Sequence, residues 1–272
     1  MFSPYYARAR RRTPGGAADP LDHCALNVVL YGRGGSRWAM TERGRAAVQR
    51  DARTLRIGPS ALHWHGDTLT IDIDEVGVPW PARLRGRVTL RAAQCFGEAF
   101  GLAPGHRWQP IAPAARVEVA LGPVRWSGPG YLDANSGAAP LESAFRRWDW
   151  SRALLPNGDA IVLYDLDRHH GGAFRLGLRL RADGRIASIE TPPSAALPRT
   201  AWRLARSAHA DRGTPIQSLQ TLTDAPFYAR SLMRTCWLGE PVTVMHESLS
   251  LTRFDSAWVQ AMLPFRMPRR RH

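Results

Sequence analysis

Thr68-Leu69-Thr70-Ile71-Asp72-Ile73-Asp74 (68–74, TLTIDID) alternates strictly between polar and apolar residues. Successive side chains of an extended chain point to opposite faces, so Leu69, Ile71 and Ile73 share one face and the threonines and aspartates the other. Gly66-Asp67 separates this run from His63–His65, which is the spacing of a hairpin turn. Working outward, the same texture recurs. Residues 24–31 (CALNVVLY) read as a buried strand, and further strands are expected at 84–91, 115–121, 160–166, 173–181, 185–190, 229–237 and 241–252. Asp183-Gly184 turns 173–181 into 185–190. Only 42–50 (ERGRAAVQR) reads as helical, with Thr41 as its N-cap. Many short strands with frequent turns define an all-β barrel or sandwich.

The chain has 272 residues and a formal charge of +14, carried by 37 arginines and no lysine. That bias, with abundant Ala and Gly, is the mark of a GC-rich coding sequence. The arginines are dense only at Arg8 to Arg12 and Arg269 to Arg271. Nucleic-acid binding needs a basic patch on one face, and scattered arginines argue against it. They suit weak attraction to an anionic membrane surface better. Cys24, Cys95 and Cys236 are odd in number and lack C-x-x-C spacing, which argues against a disulfide framework or a zinc knuckle and suits a reducing cytosol. No apolar run reaches the length of a membrane span.

Between 101 and 140 Gly and Pro crowd together around a single expected strand, the texture of an interdomain crossing or a functional loop system. Gly32-Arg33-Gly34-Gly35 lacks the third glycine of a dinucleotide fingerprint and reads as a hairpin loop. His63 with His65, and His169 with His170, have no carboxylate or cysteine at metal-ligand spacing. No G-x-S-x-G accompanies Ser127, Ser136 or Ser143, so nothing points to a serine hydrolase. The informative cluster is Gly105-His106-Arg107-Trp108 followed by Trp126-Ser127-Gly128-Pro129-Gly130-Tyr131-Leu132-Asp133-Ala134-Asn135-Ser136-Gly137. His106 and Trp108 stand two residues apart, as do Tyr131 and Asp133. In extended backbone each pair faces one way. On pattern alone this is a polar and aromatic candidate site, with Asx turns at Asp133 and Asn135 as the plain structural reading.

These residues resemble the carotenoid 1,2-hydratase (hydroxyneurosporene synthase) family. The likeness extends through FSPYYARARRR, LDHCALNVVLYGRGGSRWAMTERGR, GPSALHWHGDTLTIDIDE, GHRWQPIAPAARVEVAL, WSGPGYLDANSGAAPLESAFRRWDWSRA and HESLSLTRFDSAWVQAMLPFRMPRR, that is, from residue 2 to residue 271. The resemblance implies a lyase of phototrophic bacteria that needs no cofactor and adds water across the terminal 1,2 double bond of acyclic carotenoids such as neurosporene and lycopene. It implies two lipocalin-like β-barrel or sandwich domains, placed here at 1–122 and 123–272. His106, Trp108, Tyr131 and Asp133 match the family's functional positions. Relatives usually carry a further N-terminal region leading into G-S-V-F-S-P-Y-Y, whereas this chain begins Met1-Phe2-Ser3-Pro4. The expectation is therefore a start at a GTG codon within a longer protein, and a first domain short of strands.

Hydrating a trisubstituted alkene begins with a proton to the less substituted carbon, so the acid must be strong and already protonated. Burial among aromatics supplies such a carboxyl by disfavouring its charged form, which suits Asp133. The cation that follows is stabilised by aromatic faces, here Trp108 and Tyr131. His106 either positions the attacking water and takes its proton or hydrogen-bonds Asp133. The alternative to an enzyme is a lipocalin-like carrier that binds a carotenoid or other lipid unchanged. The expected partners are the carotenoid and water, in the cytoplasm or on the cytoplasmic face of the inner or intracytoplasmic membrane.

Overall fold

The computed structural model describes residues 3–13, 18–32 and 35–270, which form two compact units. The first unit comprises residues 1–92, 115–130 and 260–272. It opens on helix α1 (Pro4–Arg12), where Ser3 Oγ accepts the Tyr6 N–H at 2.9 Å and Pro4 takes the first turn. Strands β1 (Cys24–Leu30) and β2 (Arg37–Arg43) pair antiparallel from Cys24 opposite Arg43 to Leu30 opposite Arg37. The loop residues Arg33 and Gly34 between them lie outside the described residues.

Strands β3 (Val48–Arg50), β4 (Thr54–Ile57), β5 (Ser60–His65), β6 (Thr68–Val76) and β7 (Arg83–Ala92) follow as successive antiparallel neighbours. The His65–Thr68 pairing confirms the hairpin read at Gly66-Asp67. β8 (Phe100–Ala103) pairs with β9 (His106–Leu121), and β9 then joins β7 on one side and β10 (Val124–Gly137) on the other. Gly86 explains how β7 approaches β9 so closely: a Cβ there would lie 1.9 Å from the Ala120 carbonyl oxygen. Ile73, Val119 and Leu121 form a core joined by Leu26, Val28, Ile71 and Val88, so the apolar face of TLTIDID turns inward. Among these strands sits a buried ion pair. Arg43 donates to both oxygens of Glu75, at 3.1 and 2.8 Å, and Ser60 Oγ donates to Glu75 at 2.8 Å. A second buried carboxylate, Glu42, accepts from Ser3 Oγ and Arg269 and lies 2.8 Å from His23 Nδ1.

The second unit comprises residues 93–114 and 131–259. After the short helix α2 (Leu141–Ala144) come β11 (Phe145–Leu154), β12 (Ala160–Arg168), β13 (Ala173–Leu180), β14 (Ile186–Ser188), the separate pair β15 (Ser194–Leu197) and β16 (Arg206–His209), then β17 (Gln217–Asp224), β18 (Tyr228–Trp237) and β19 (Glu240–Ser250). Its main sheet runs β14-β13-β12-β11-β19-β18-β17, antiparallel throughout. One face holds Ala153, Ile161, Leu163, Met233, Val242 and Val244 around Trp237. That same face buries a polar network in which His246 lies 2.8 Å from Ser151 Oγ and 3.0 Å from Ser248 Oγ, with Asp149 bonded to Arg147. Helices α3 (Leu251–Phe254) and α4 (Ala257–Met262) follow β19.

Two expectations need correction. Residues 42–50 are not a helix. Glu42 and Arg43 end β2, Arg45–Ala47 form one 3-10 turn, and Val48 begins β3. Tertiary partners decide this, since Arg43 and Glu42 are held by Glu75 and by Ser3, His23 and Arg269, and Gly44 weakens any helix across the segment. The Gly/Pro-rich stretch 101–140 carries two long strands rather than one, His106–Leu121 and Val124–Gly137. β9 contributes residues 106–114 to the second unit and 115–121 to the first, and β10 contributes 124–130 to the first and 131–137 to the second.

Candidate active site

All four residues singled out in the sequence fall in the second unit. Trp108 and Asp133 meet directly: Trp108 Nε1 donates to Asp133 Oδ2 at 2.7 Å. Tyr131 Oη donates to the same oxygen at 2.8 Å. The two-residue spacings produce this, since extended backbone turns Tyr131 and Asp133 to one side of β10 and His106 and Trp108 to one side of β9. Burial pushes the Asp133 carboxyl above its ordinary range. The two donors pull it back, the Glu247 charge raises it again and Arg230 opposes that. Burial, then the neighbouring Asp133, hold the Tyr131 phenol well above its usual value, so it stays a donor.

Rings pack around the two donors of the carboxyl. Trp108 packs edge-on against Tyr164 at 5.1 Å, and Tyr164 against Trp148 at 5.4 Å. Phe100 lies 5.9 Å from Trp108. Tyr131 packs on Trp150 at 5.3 Å, and the Arg152 guanidinium lies 5.0 Å over the Tyr131 ring while donating to the Pro113 carbonyl at 2.7 Å. Rings with centroids 4.5 to 7 Å apart are in favourable contact, so this wall is apolar and rigid.

His106 joins the group through its ring rather than through the carboxyl. It meets Phe145 edge-on at 5.3 Å, and its Nε2 is buried without a hydrogen-bond partner among the described residues. Burial lowers its pKa, so the imidazole is neutral at ordinary pH. Gly137 makes room for it: a Cβ there would lie 2.5 Å from His106 Nδ1.

Sequence reasoning missed Trp148, Trp150, Tyr164 and Glu247 in this wall. Trp148 and Trp150 were legible in part, since W-x-W in FRRWDWSRA is the period of one strand face. Tyr164 and Glu247 carry no local signal; only cross-strand pairing with Trp150 brings them in.

A carboxyl whose burial favours the acid form, with aromatic rings around it and a phenol and an indole bonded to one of its oxygens, is equipment suited to acid catalysis on an apolar substrate. Comparison with known proteins gives the class. The chain matches the family model described as carotenoid hydratase CrtC over residues 1–272, and it belongs to that family, whose members are hydro-lyases. Acyclic carotenoid 1,2-hydratase of Thiocapsa roseopersicina is 52% identical over 274 residues, covering 99% of this chain and 67% of that one. The protein of that name from Rubrivivax gelatinosus is 47% identical over 278 residues with the same coverage. The one from Cereibacter sphaeroides is 40% identical over 274 residues, covering 99% of this chain and 95% of its own. Among solved structures, a putative AttH from Nitrosomonas europaea superposes with a TM-score of 0.57 at 14% identity, over 80% of this chain and 76% of that one. That likeness shows the lipocalin-like all-β fold.

Proposed function

We propose that the chain adds water across the terminal C1–C2 double bond of an acyclic carotenoid such as lycopene or neurosporene, with Asp133 as the acid. The observation that carries this reading is the convergence of Trp108 and Tyr131 on one carboxyl oxygen, Oδ2. An oxygen that already accepts two donors is the poorer seat for a proton, so the acidic hydrogen belongs on Oδ1. Burial raises the pKa and favours the acid form, while the two donors stand ready to stabilise the carboxylate once the proton has gone. Asp133 thus gives its proton to C2. The positive charge forms at C1, where three carbon substituents support it. Trp108, Tyr131, Trp150 and Tyr164 supply aromatic faces to that cation without offering it a nucleophile, at roughly 0.5–2 kcal/mol each. Water then closes the reaction at C1. His106, neutral and set against Phe145, belongs to the site as an accessory polar group.

The names of the relatives support the substrate class, since all those above are acyclic carotenoid 1,2-hydratases. Peripheral attachment to a membrane fits a substrate that dissolves in lipid. Its support is the arginine-rich α1 and the exposure of Trp80 (82%) and Phe265 (77%) in the first unit. No helix among the described residues is long and apolar enough to cross a membrane. The deciding test incubates the purified chain with lycopene dispersed in lipid vesicles. A hydratase yields a product heavier by one water, whereas a carrier returns lycopene unchanged.

A further inference from the structure

Four residues stand in one row across the main sheet of the second unit. Arg230 on β18 pairs with Glu247 on β19, Glu247 with Trp150 on β11, and Trp150 with Tyr164 on β12. Directly paired residues place their side chains on the same face within about 5 Å of each other. Two members of the row carry the donors of Asp133, since Trp150 packs on Tyr131 and Tyr164 on Trp108. The row therefore lies beside the acid. Trp150 is only 7% exposed, yet its Nε1 is buried with no hydrogen-bond partner among the described residues. An unmet buried N–H costs roughly 1–3 kcal/mol, and one retained beside a reaction centre points to an acceptor that arrives with the reactants. Beside it, Glu247 Oε1 accepts from Arg230 at 2.5 Å. A carboxylate has about four lone-pair sites, so acceptor capacity remains.

We propose that Trp150 and Glu247 hold the water that attacks C1, the indole N–H donating to the water oxygen and the Glu247 carboxylate accepting one of its hydrogens. The inference rests on the hydration reading above. A hydrocarbon chain offers neither donor nor acceptor, whereas water offers both, so a donor beside an acceptor in an aromatic wall is matched to water. The second lone pair of the water oxygen forms the bond to C1. The O–H bond facing Glu247 then breaks, and that proton passes to its carboxylate. Asp133, ionised by giving its proton to C2, recovers one that Glu247 returns through solvent. One water is consumed and nothing is oxidised or reduced. The electrostatics agree, because the Glu247 charge is among the influences that raise the Asp133 pKa.

The test separates protonation from water capture by running the full chain with lycopene in heavy water. A cation that forms but is not captured returns a proton and leaves deuterium in recovered alkene. Glu247→Gln and Trp150→Phe are expected to lower the 1-hydroxy product by roughly tenfold or more, the usual scale for losing a positioned base, while deuterium in recovered alkene rises. Glu247→Asp, which keeps the carboxylate, is expected to restore part of the product. Far-UV circular dichroism and thermal melts establish that each variant is folded. An unchanged ratio of product to exchange in either folded variant, or loss of both together, overturns the proposal. So does exchange without product in His106→Gln alone, which would put the water at the imidazole. Asp133→Asn is the separate control: product and exchange both surviving there would remove the acid assignment itself.

Discussion

Trp108 donates its indole N–H to Asp133 at 2.7 Å, and it does so from a position with no solvent exposure. An indole cannot accept a proton in return, so this contact serves the carboxyl only when the carboxyl is an acceptor. In the proposed mechanism the bond strengthens as Asp133 gives up its proton, which is the behaviour expected of a group that favours the transition state over the resting enzyme.

Asp133→Asn is therefore expected to fold normally and to form no 1-hydroxy carotenoid from lycopene or neurosporene. An amide keeps the shape and the acceptor oxygen but has no acidic proton. General acid catalysis contributes about 10²–10⁴-fold, so a loss of at least that size is expected, read by chromatography of the pigments beside circular dichroism of the protein.

Trp108→Phe keeps a ring and loses the N–H; Trp108→Ala loses both. The first is expected to retain more activity than the second, because an aromatic face still meets the cation. Equal losses in the two variants would show that the hydrogen bond, and not the ring, is what the reaction uses.

Tyr131→Phe tests the pH dependence. In the proposed role Asp133 acts in its acid form, and its pKa is raised, so activity is expected to fall as pH rises through that pKa. The Tyr131 hydroxyl favours the carboxylate, so removing it raises the pKa further. The basic limb of the profile should then move up, while the maximal rate drops roughly tenfold because the carboxylate left behind is less well held. A limb that moves down instead would reverse the role given to Tyr131.

His246 predicts acid sensitivity of the fold. Burial, with Arg206, His209 and Arg147 nearby, pushes its pKa down to about 3 from an ordinary 6.5. The unfolded chain binds this proton near neutrality and the folded one does not, so stability is lost as pH falls below 6.5. At pH 4.5 this amounts to about 2–3 kcal/mol. His246→Gln is expected to flatten that part of the curve in melts compared between pH 7 and 4.5.

The Arg43–Glu75 pair predicts a large effect of an almost isosteric change. Glu75→Gln leaves a buried guanidinium facing a neutral amide and is expected to cost about 3–5 kcal/mol in denaturant unfolding. Replacing both partners with Arg43→Met and Glu75→Leu is expected to recover most of it.

The strands were legible where one strand face is buried and the other wet, as in TLTIDID, because alternation then records burial directly. Residues 42–50 misled because their helical composition is overridden by distant partners for Arg43 and Glu42. Helix α1 was present in the sequence as a Ser-Pro start but was masked by its arginines, which read as a charge run. Within the site, the i, i+2 spacings already joined Tyr131 to Asp133 and His106 to Trp108. Joining those two pairs requires β9 beside β10, and adding Trp150, Tyr164 and Glu247 requires the register of three further strands, which no local pattern encodes. The expected cut at 122/123 falls at the turn between β9 and β10, whereas the compact units divide within both strands.

Glu42, with no exposed surface, is held by Ser3, His23 and Arg269. One hidden negative charge thus makes the first and last segments of the sequence each other's guarantors. By linkage, whatever loosens one lowers the affinity with which the other docks. A substitution at Ser3 or at Arg269 is consequently not a local edit. An unexplained loss of stability after changing one should be sought in the fit of the other.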